Sequence, residues 1–246
     1  MKKRLKAVFE MLGGVRTGGS FIQNSAWMFS SSGISILIQT AFFVILARIY
    51  PPEVYGLFGI FNVYLGVLGN AATLGYNQAF VLPESDQKFS RLLQLTIWVS
   101  LAVCGLAELF FLAVGDGMLA MFHHNELARW LYAVPPIALL MALDRVVCDW
   151  AIRNKEFRQQ MLWSTSTTLF AKGFNVFYGL RIAPTVAGLV VTTALQYLLR
   201  IVAYSRFALV DFSERLRQVA TWQELKTTAR EYIDYPKYVH WGNVIN

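Results

Sequence analysis

Ionisable side chains inside the long apolar runs of the sequence include Lys172, Arg200 and Glu108. A charge at the centre of a bilayer costs about 2.5–3.5 kcal/mol on insertion scales, so such residues usually face a water-filled cavity or a partner. We expect Lys172 and Arg200 either to line a wet lumen or to snorkel towards an interface. Glu108 either faces a lumen or pairs with a cation. Charged residues in such positions can balance the charge of a substrate that crosses the membrane.

Other polar residues lie near the ends of the apolar runs. Arg48 marks the end of the first run, where it is either a boundary anchor or a cation at the mouth of a cavity. Asn77 and Gln78 either hydrogen-bond between helices or line the lumen. Three charged residues close the fourth run, where we expect a local ion-pair network: Asp144, Arg145 and Asp149.

No arrangement of residues in the sequence indicates an enzyme, a cofactor or a metal site. The sequence has no glycine-rich phosphate loop and no nucleophile elbow. The adjacent pair His123-His124 would point in different directions, and Cys104 and Cys148 lie inside apolar runs without a metal-ligand spacing. The segments between runs are too short for a catalytic domain. We therefore expect a protein that is not an enzyme and needs no cofactor.

The composition predicts an integral membrane protein. Hydrophobic residues make up 56% of the chain and charged residues 15%, against about 45–50% and about 25% in soluble domains. The net charge of +7 does not indicate nucleic-acid binding, because the cations lie between apolar runs rather than on one folded face.

Six apolar runs are long enough to cross a bilayer as helices. The sequence therefore predicts an all-α, polytopic bundle of six transmembrane helices. We expect a cytoplasmic amphipathic segment at residues 1–20, the six-helix lobe at 21–205, a cytoplasmic linker with a surface helix at 206–234, and the start of an incomplete seventh span at 235–246. The runs are Ala26–Ala47, Val54–Val81, Leu92–Val114, Leu127–Val147, Met161–Leu180 and Ile182–Ala203.

Local signals refine two of these elements. The pair Pro135-Pro136 predicts a kink within the fourth span. The sequence Thr221-Trp222-Gln223-Glu224 has the spacing of a capping box, which predicts that the surface helix begins at Trp222.

The distribution of basic residues predicts the orientation of the spans. With the N-terminus in the cytoplasm, 17 of the 22 Lys and Arg residues fall on the cytoplasmic side. Because cytoplasmic segments of membrane proteins are enriched in Lys and Arg, we expect both termini to be cytoplasmic.

Several short segments, spread from the first run to the C-terminal end, carry a family resemblance. In chain order they are Asn24–Trp27, Leu46–Arg48 with Pro52–Phe58, Leu74–Phe80 with Leu82–Asp86, and Tyr235–Tyr238. In spacing and order they resemble polysaccharide flippases, the O-antigen and teichoic-acid exporter branch of the multidrug/oligosaccharidyl-lipid/polysaccharide exporter superfamily. The chain resembles the N-terminal lobe of that family.

The resemblance implies two six-helix lobes around a cavity that alternates between the faces of the bacterial inner membrane. It implies an undecaprenyl-diphosphate-linked oligosaccharide as cargo, with Lys172, Arg200 and Arg48 meeting the diphosphate. Asn77 and Gln78 are further candidates, and Glu108 is a candidate for ion coupling. Implied partners are membrane lipids, a C-terminal lobe or second chain, and a polysaccharide polymerase or glycosyltransferases. The chain is expected to be a truncated product, part of a split gene or a partial sequence.

Other functions fit parts of the same pattern. A multidrug exporter that moves organic cations would need carboxylates in its lumen, and Glu108 is the one good candidate. A membrane glycosyltransferase or polymerase would need a catalytic domain outside the membrane. A non-transporting scaffold for polysaccharide enzymes fits the sequence as well. The leading prediction is a flippase lobe.

Overall fold

The computed structural model of the chain describes residues 21–122, 130–217 and 220–239. None of these residues forms a β-strand, so the predicted all-α class is confirmed for this part of the chain. The predicted amphipathic segment at 1–20 and most of the predicted seventh span lie outside it. In chain order the described α-helices are α1 (Phe21–Ile49), α2 (Pro52–Ala71), α3 (Asp86–Phe122), α4 (Val134–Arg153), α5 (Phe157–Arg181), α6 (Val186–Arg217) and α7 (Trp222–Glu231).

Three of the described helices are long and apolar enough to cross a membrane. They are α2 and the stretches Asp86–Ala113 of α3 and Val186–Tyr204 of α6. In α1 the part whose side chains the structure describes, Gly33–Ile49, is also apolar. Helices α4 and α5 are not among these three: α4 carries several charges, and α5 carries a run of hydroxyl residues at 164–168. The remaining three spans stay a prediction.

The chain departs from the expected second span after Ala71. Instead of continuing to Val81, α2 ends there, and a turn leads into a short 3₁₀ helix, Tyr76–Val81. Leu74 and Gly75 have positive φ angles of 48° and 77°, a conformation that breaks an α-helix and that glycine adopts readily. The predicted span was therefore too long.

The predicted kink at Pro135-Pro136 is also wrong. Both prolines lie in the first turn of α4, which starts at Val134. The first backbone N–H groups of a helix have no partner within the helix, so proline is tolerated there without distortion. The prolines start this helix instead of bending it.

Helix α4 lies at the centre of the bundle and packs against α2, α3 and α6. Helix α5 packs between α1 and α6. One end of the bundle contains a group of buried aromatic and aliphatic side chains that we call the basal cluster. Its members come from the 3₁₀ helix, α3, α4, α6, α7 and the turn after α7, and they include Phe80, Phe89, Leu92, Trp150, Tyr204, Leu225 and Tyr232.

Helix α7 covers this end of the bundle. The predicted capping box is present: the Thr221 hydroxyl accepts from the Glu224 N–H, and the Glu224 carboxylate accepts from the Thr221 N–H at 2.9 Å. Glu224 also pairs with Arg91 of α3, and Glu231 pairs with Lys88 at 2.7 Å. The hydrogen bonds from Thr221, followed by the charge of Arg91, hold the pKa of Glu224 below its ordinary value. These contacts dock α7 onto α3.

Candidate functional site

A cleft of about 360 Å³ opens between α1, α2, α5 and α6. We call it the Lys172 cleft. Its apolar wall comes from Phe43, Leu46, Tyr55, Phe58 and Leu189. Its polar lining consists of Lys172 and six uncharged residues: Gln39, Thr40, Asn175, Thr192, Thr193 and Gln196. Such a mixture of apolar walls and a few convergent polar groups is typical of a ligand-binding site.

Lys172 supplies the formal charge of this cleft. Among the described residues that line it, no other Lys, Arg, Asp or Glu is present. Lys172 is half-buried in the middle of α5, and no described carboxylate forms an ion pair with it. The structure thus places Lys172 at a cleft that also presents uncharged polar groups, and a wet lumen around it stays a prediction. The cleft carries a net positive charge that is available to an anion.

Two buried polar atoms of residues that line the cleft have no hydrogen-bond partner among the described residues: the Tyr55 hydroxyl and Asn175 Oδ1. Buried polar atoms are usually satisfied by protein or water, so an unpartnered pair in one cleft needs an explanation. The Asn175 backbone is itself fixed, because the Tyr50 hydroxyl donates to its carbonyl oxygen at 2.9 Å. The unpartnered atoms are available to water or to a ligand.

Asn77 and Gln78 do not line the Lys172 cleft. Asn77 is buried in the turn after α2, where its Oδ1 accepts from the Thr73 hydroxyl at 2.7 Å and its Nδ2 donates to Asp149 at 2.5 Å. Both ends of its amide are therefore used to hold this turn against α4. Gln78, the next residue, is exposed. Of the two alternatives, the structure places Asn77 in hydrogen bonding between elements.

Arg200 also lies apart from the cleft and has a partner. Its guanidinium forms an ion pair with Asp144 of α4, with an Nη1–Oδ2 distance of 3.0 Å. The Arg200 side chain is 16% exposed and the Asp144 side chain 6%, so the pair is buried. Arg200 therefore brings a compensated charge to this part of the bundle, whereas Lys172 brings an uncompensated one.

Among the described residues no ion pair joins Asp144, Arg145 and Asp149 to one another, although the charge of Arg145 acts on both carboxylates. Each of these residues instead contacts a different element: Asp144 binds Arg200 of α6, Asp149 accepts from Asn77, and Arg145 donates to the Gly69 carbonyl of α2 at 3.4 Å. Arg145 and Asp149 are four residues apart and share one face of α4, but their hydrogen bonds go to different neighbours. These contacts connect this end of α4 to α2, to α6 and to the turn after α2 that contains Asn77.

The two remaining candidates lie at different places in the bundle. Arg48 is exposed in the last turn of α1 and does not line the cleft. Glu108 is half-buried on α3, and its Oε2 has no hydrogen-bond partner among the described residues. Neither Arg48 nor Glu108 joins Lys172 in one site.

Sequence reasoning missed all six uncharged amide and hydroxyl residues that line the cleft: Gln39, Thr40, Asn175, Thr192, Thr193 and Gln196. Thr192 and Gln196 are four residues apart inside an apolar run, a spacing that places both on one helix face. This polar spacing was the signal that could have identified them.

The comparisons with known proteins yield no relative. No known protein family, no curated protein and no solved structure matches this chain. Within the described part of the chain, no group of three or more His, Cys, Asp and Glu side chains is placed to hold a metal ion. The candidate site is therefore interpreted from the geometry and the charge of the Lys172 cleft.

Proposed function

We propose that this chain acts in membrane transport and moves a lipid-linked oligosaccharide of the undecaprenyl-diphosphate class across the bacterial inner membrane by alternating access. The observation that supports this proposal most is the unpaired cation of Lys172 in a cleft that is otherwise lined with uncharged polar and apolar groups. A cargo with an anionic diphosphate, hydroxyl-rich sugars and a lipid chain would use all three kinds of lining.

The physical argument concerns the cost of moving a diphosphate through a medium of low dielectric constant. A buried charge without a partner is very costly, and a nearby cation together with hydrogen-bond donors reduces that cost. Lys172 offers the cation, and the unpartnered hydroxyl of Tyr55 offers a donor, whereas the hydroxyls of Thr192 and Thr193 already donate to backbone carbonyls of α6. Because Arg200 already pairs with Asp144, we assign the contact with the diphosphate to Lys172 first.

The wider arrangement belongs to the same proposal. We infer six transmembrane helices, α1 to α6, with both termini in the cytoplasm, as the distribution of Lys and Arg indicates. By the resemblance of its sequence segments, the chain is proposed to be the N-terminal lobe of a polysaccharide flippase, with a second lobe facing the cleft. The proposed partners are membrane lipids, the second lobe or chain, and a polysaccharide polymerase or glycosyltransferases.

One observation favours an ion-coupled cation exporter as a second candidate. Glu108 is half-buried in α3, and its Oε2 is unpartnered among the described residues. A carboxylate in that position suits a cationic substrate or a coupling ion. However, Glu108 does not line the cleft, and the charge of the cleft is positive. An exporter of cations would therefore need a second binding region around Glu108.

Substitution of Lys172 tests the proposed function. In a full-length protein that carries Lys172→Gln, we expect transport of the diphosphate-linked cargo into proteoliposomes to fall about tenfold or more, because a charge-assisted contact is lost. Lys172→Arg should retain most of the transport. Lys226→Gln is the matched control, since Lys226 is exposed on α7, far along the chain from the cleft.

Three results would count against the proposed function. Unchanged cargo transport by Lys172→Gln at equal protein levels would remove Lys172 from the cargo site. Transport of an organic cation, lost in Glu108→Gln and kept in Lys172→Gln, would favour the cation exporter. Surface polysaccharide that depends on the presence of the chain but not on either residue would favour a scaffold.

A further inference from the structure

The ion pair between Asp144 and Arg200 belongs to a buried polar cluster that the cargo site does not use. Cys148 follows Asp144 by one turn of α4, and Tyr204 follows Arg200 by one turn of α6. Residues four apart lie on the same face of a helix, so both pairs face the contact between α4 and α6. We call these four residues the α4–α6 cluster.

Three buried polar atoms of this cluster have no hydrogen-bond partner among the described residues: Asp144 Oδ1, Arg200 Nε and the Tyr204 hydroxyl. The Asp144 residue is 4% exposed and Tyr204 is 1% exposed. The ion pair uses only the other carboxylate oxygen of Asp144, Oδ2. A buried carboxylate oxygen that no described group satisfies is a candidate position for a small ligand.

The charges around Asp144 restrict what that ligand can be. Arg200 faces it from α6, where Tyr197 and Tyr204 are the other titratable groups, while Arg145, Cys148 and Asp149 lie on α4 itself. Asp149 is held by Asn77. The guanidinium in direct contact disfavours a metal cation, since like charges repel at short range. A proton fits, because it neutralises the carboxylate and needs no coordination shell.

We propose that Asp144 is a proton-binding site whose occupancy controls the ion pair with Arg200. A proton from the aqueous phase forms an O–H bond with the Asp144 carboxylate, and no electron is transferred. The neutral acid holds Arg200 less strongly, and the guanidinium is released. When the proton leaves, the ion pair forms again. Asp144 is a positioning residue in this proposal, since it does not line the cleft.

Helix α6 connects the α4–α6 cluster to the Lys172 cleft. Gln196, which lines the cleft, is one turn before Arg200 on the same unbroken helix. Gln196 also donates to the Thr168 hydroxyl of α5 at 3.3 Å. A shift of α6 on release of Arg200 would therefore move the polar wall of the cleft. This coupling to cargo rests on the proposed function, whereas the protonation of Asp144 does not.

Infrared difference spectroscopy on the purified full chain in liposomes, without cargo, tests the proposal. On lowering the pH from about 8 to about 5, we expect a carboxylic-acid band to appear that is lost in Asp144→Asn and kept in Asp149→Asn. Asp149→Asn is the matched control, because Asp149 lies on the same helix and has its own partner in Asn77. If Asp144→Asn fails to fold, Asp144→Glu should shift the band instead of removing it.

The outcomes separate this proposal from the proposed function. A spectrum in which Asp144→Asn leaves every acid band unchanged would overturn the proton site, whatever Lys172 does. Loss of the band in Asp144→Asn, combined with unaltered cargo transport in Lys172→Gln, would retain the proton site and reject the cargo site. As a second arm, Arg200→Gln should raise the pH at which the Asp144 band appears, because the cation that favours the carboxylate is gone; no change in that pH would contradict control by the ion pair.

Discussion

Arg200→Met is expected to lower the free energy of unfolding by about 3–5 kcal/mol at about pH 8, because it leaves a buried carboxylate without its cation. Asp144 is 4% exposed and forms its ion pair with Arg200 alone among the described residues. Chemical denaturation in detergent micelles, followed by tryptophan fluorescence, measures the loss. Arg230→Met serves as the matched control, since Arg230 is exposed on α7, and it should change stability by about 0.5 kcal/mol or less.

A double substitution separates the cost of an unpaired charge from the loss of a contact. When Asp144→Leu is added to Arg200→Met, most of the stability should return, because apolar replacements of a whole buried ion pair are often neutral. Lowering the pH should also reduce the cost of Arg200→Met, since a protonated Asp144 needs no cation. If Arg200→Met lowered the free energy of unfolding as little as Arg230→Met does, the ion pair would contribute nothing to the stability of the fold.

Phe89→Ala is expected to lower the free energy of unfolding by about 3–5 kcal/mol, the range for removal of a core aromatic ring. Phe89 is 1% exposed in the basal cluster, where its ring packs edge-to-face on Phe80 at 5.3 Å. The guanidinium carbons of Arg153 and Arg215 lie 4.5 and 5.1 Å from its ring centroid. The same denaturation experiment measures the loss of these contacts.

Phe110→Ala is the control for Phe89→Ala, because Phe110 lies on the same helix and is 54% exposed. We expect it to cost far less, since its ring is only partly packed and an alanine there leaves no closed cavity. Equal losses for the two variants would mean that the basal cluster is not a tightly packed core. A loss in Phe89→Leu close to that of Phe89→Ala would show instead that the ring contacts matter more than the volume.

The elements governed by local sequence were predictable. The capping box at Thr221 and Glu224 uses groups only three residues apart, so its spacing alone placed the start of α7. The composition and the apolar runs predicted an all-helical chain in the same way. By contrast, the prolines at 135 and 136 have two meanings in a helix, a kink or a start, and the apolar pattern did not distinguish them.

The long-range partners were not predictable from spacing. Arg200 and Asp144 are 56 residues apart, and Asn77 and Asp149 are 72 apart, so their contacts depend on which helices become neighbours. Lys172 differs because its position in the middle of an apolar run already offered a cavity as one of two alternatives. The surrounding amides and hydroxyls were harder to identify, since single polar residues in a helix have many uses.

Water access at position 172 is the most direct test of the Lys172 cleft. In a full-length chain with Cys104→Ser and Cys148→Ser, Lys172→Cys should react readily with a charged, water-soluble thiol reagent in intact liposomes. Leu169→Cys, one turn earlier on α5 where Leu169 is exposed at the outer surface of the bundle, should react far more slowly because lipid covers it. Equal protection of the two variants, or a reversed order, would contradict a wet cleft around Lys172.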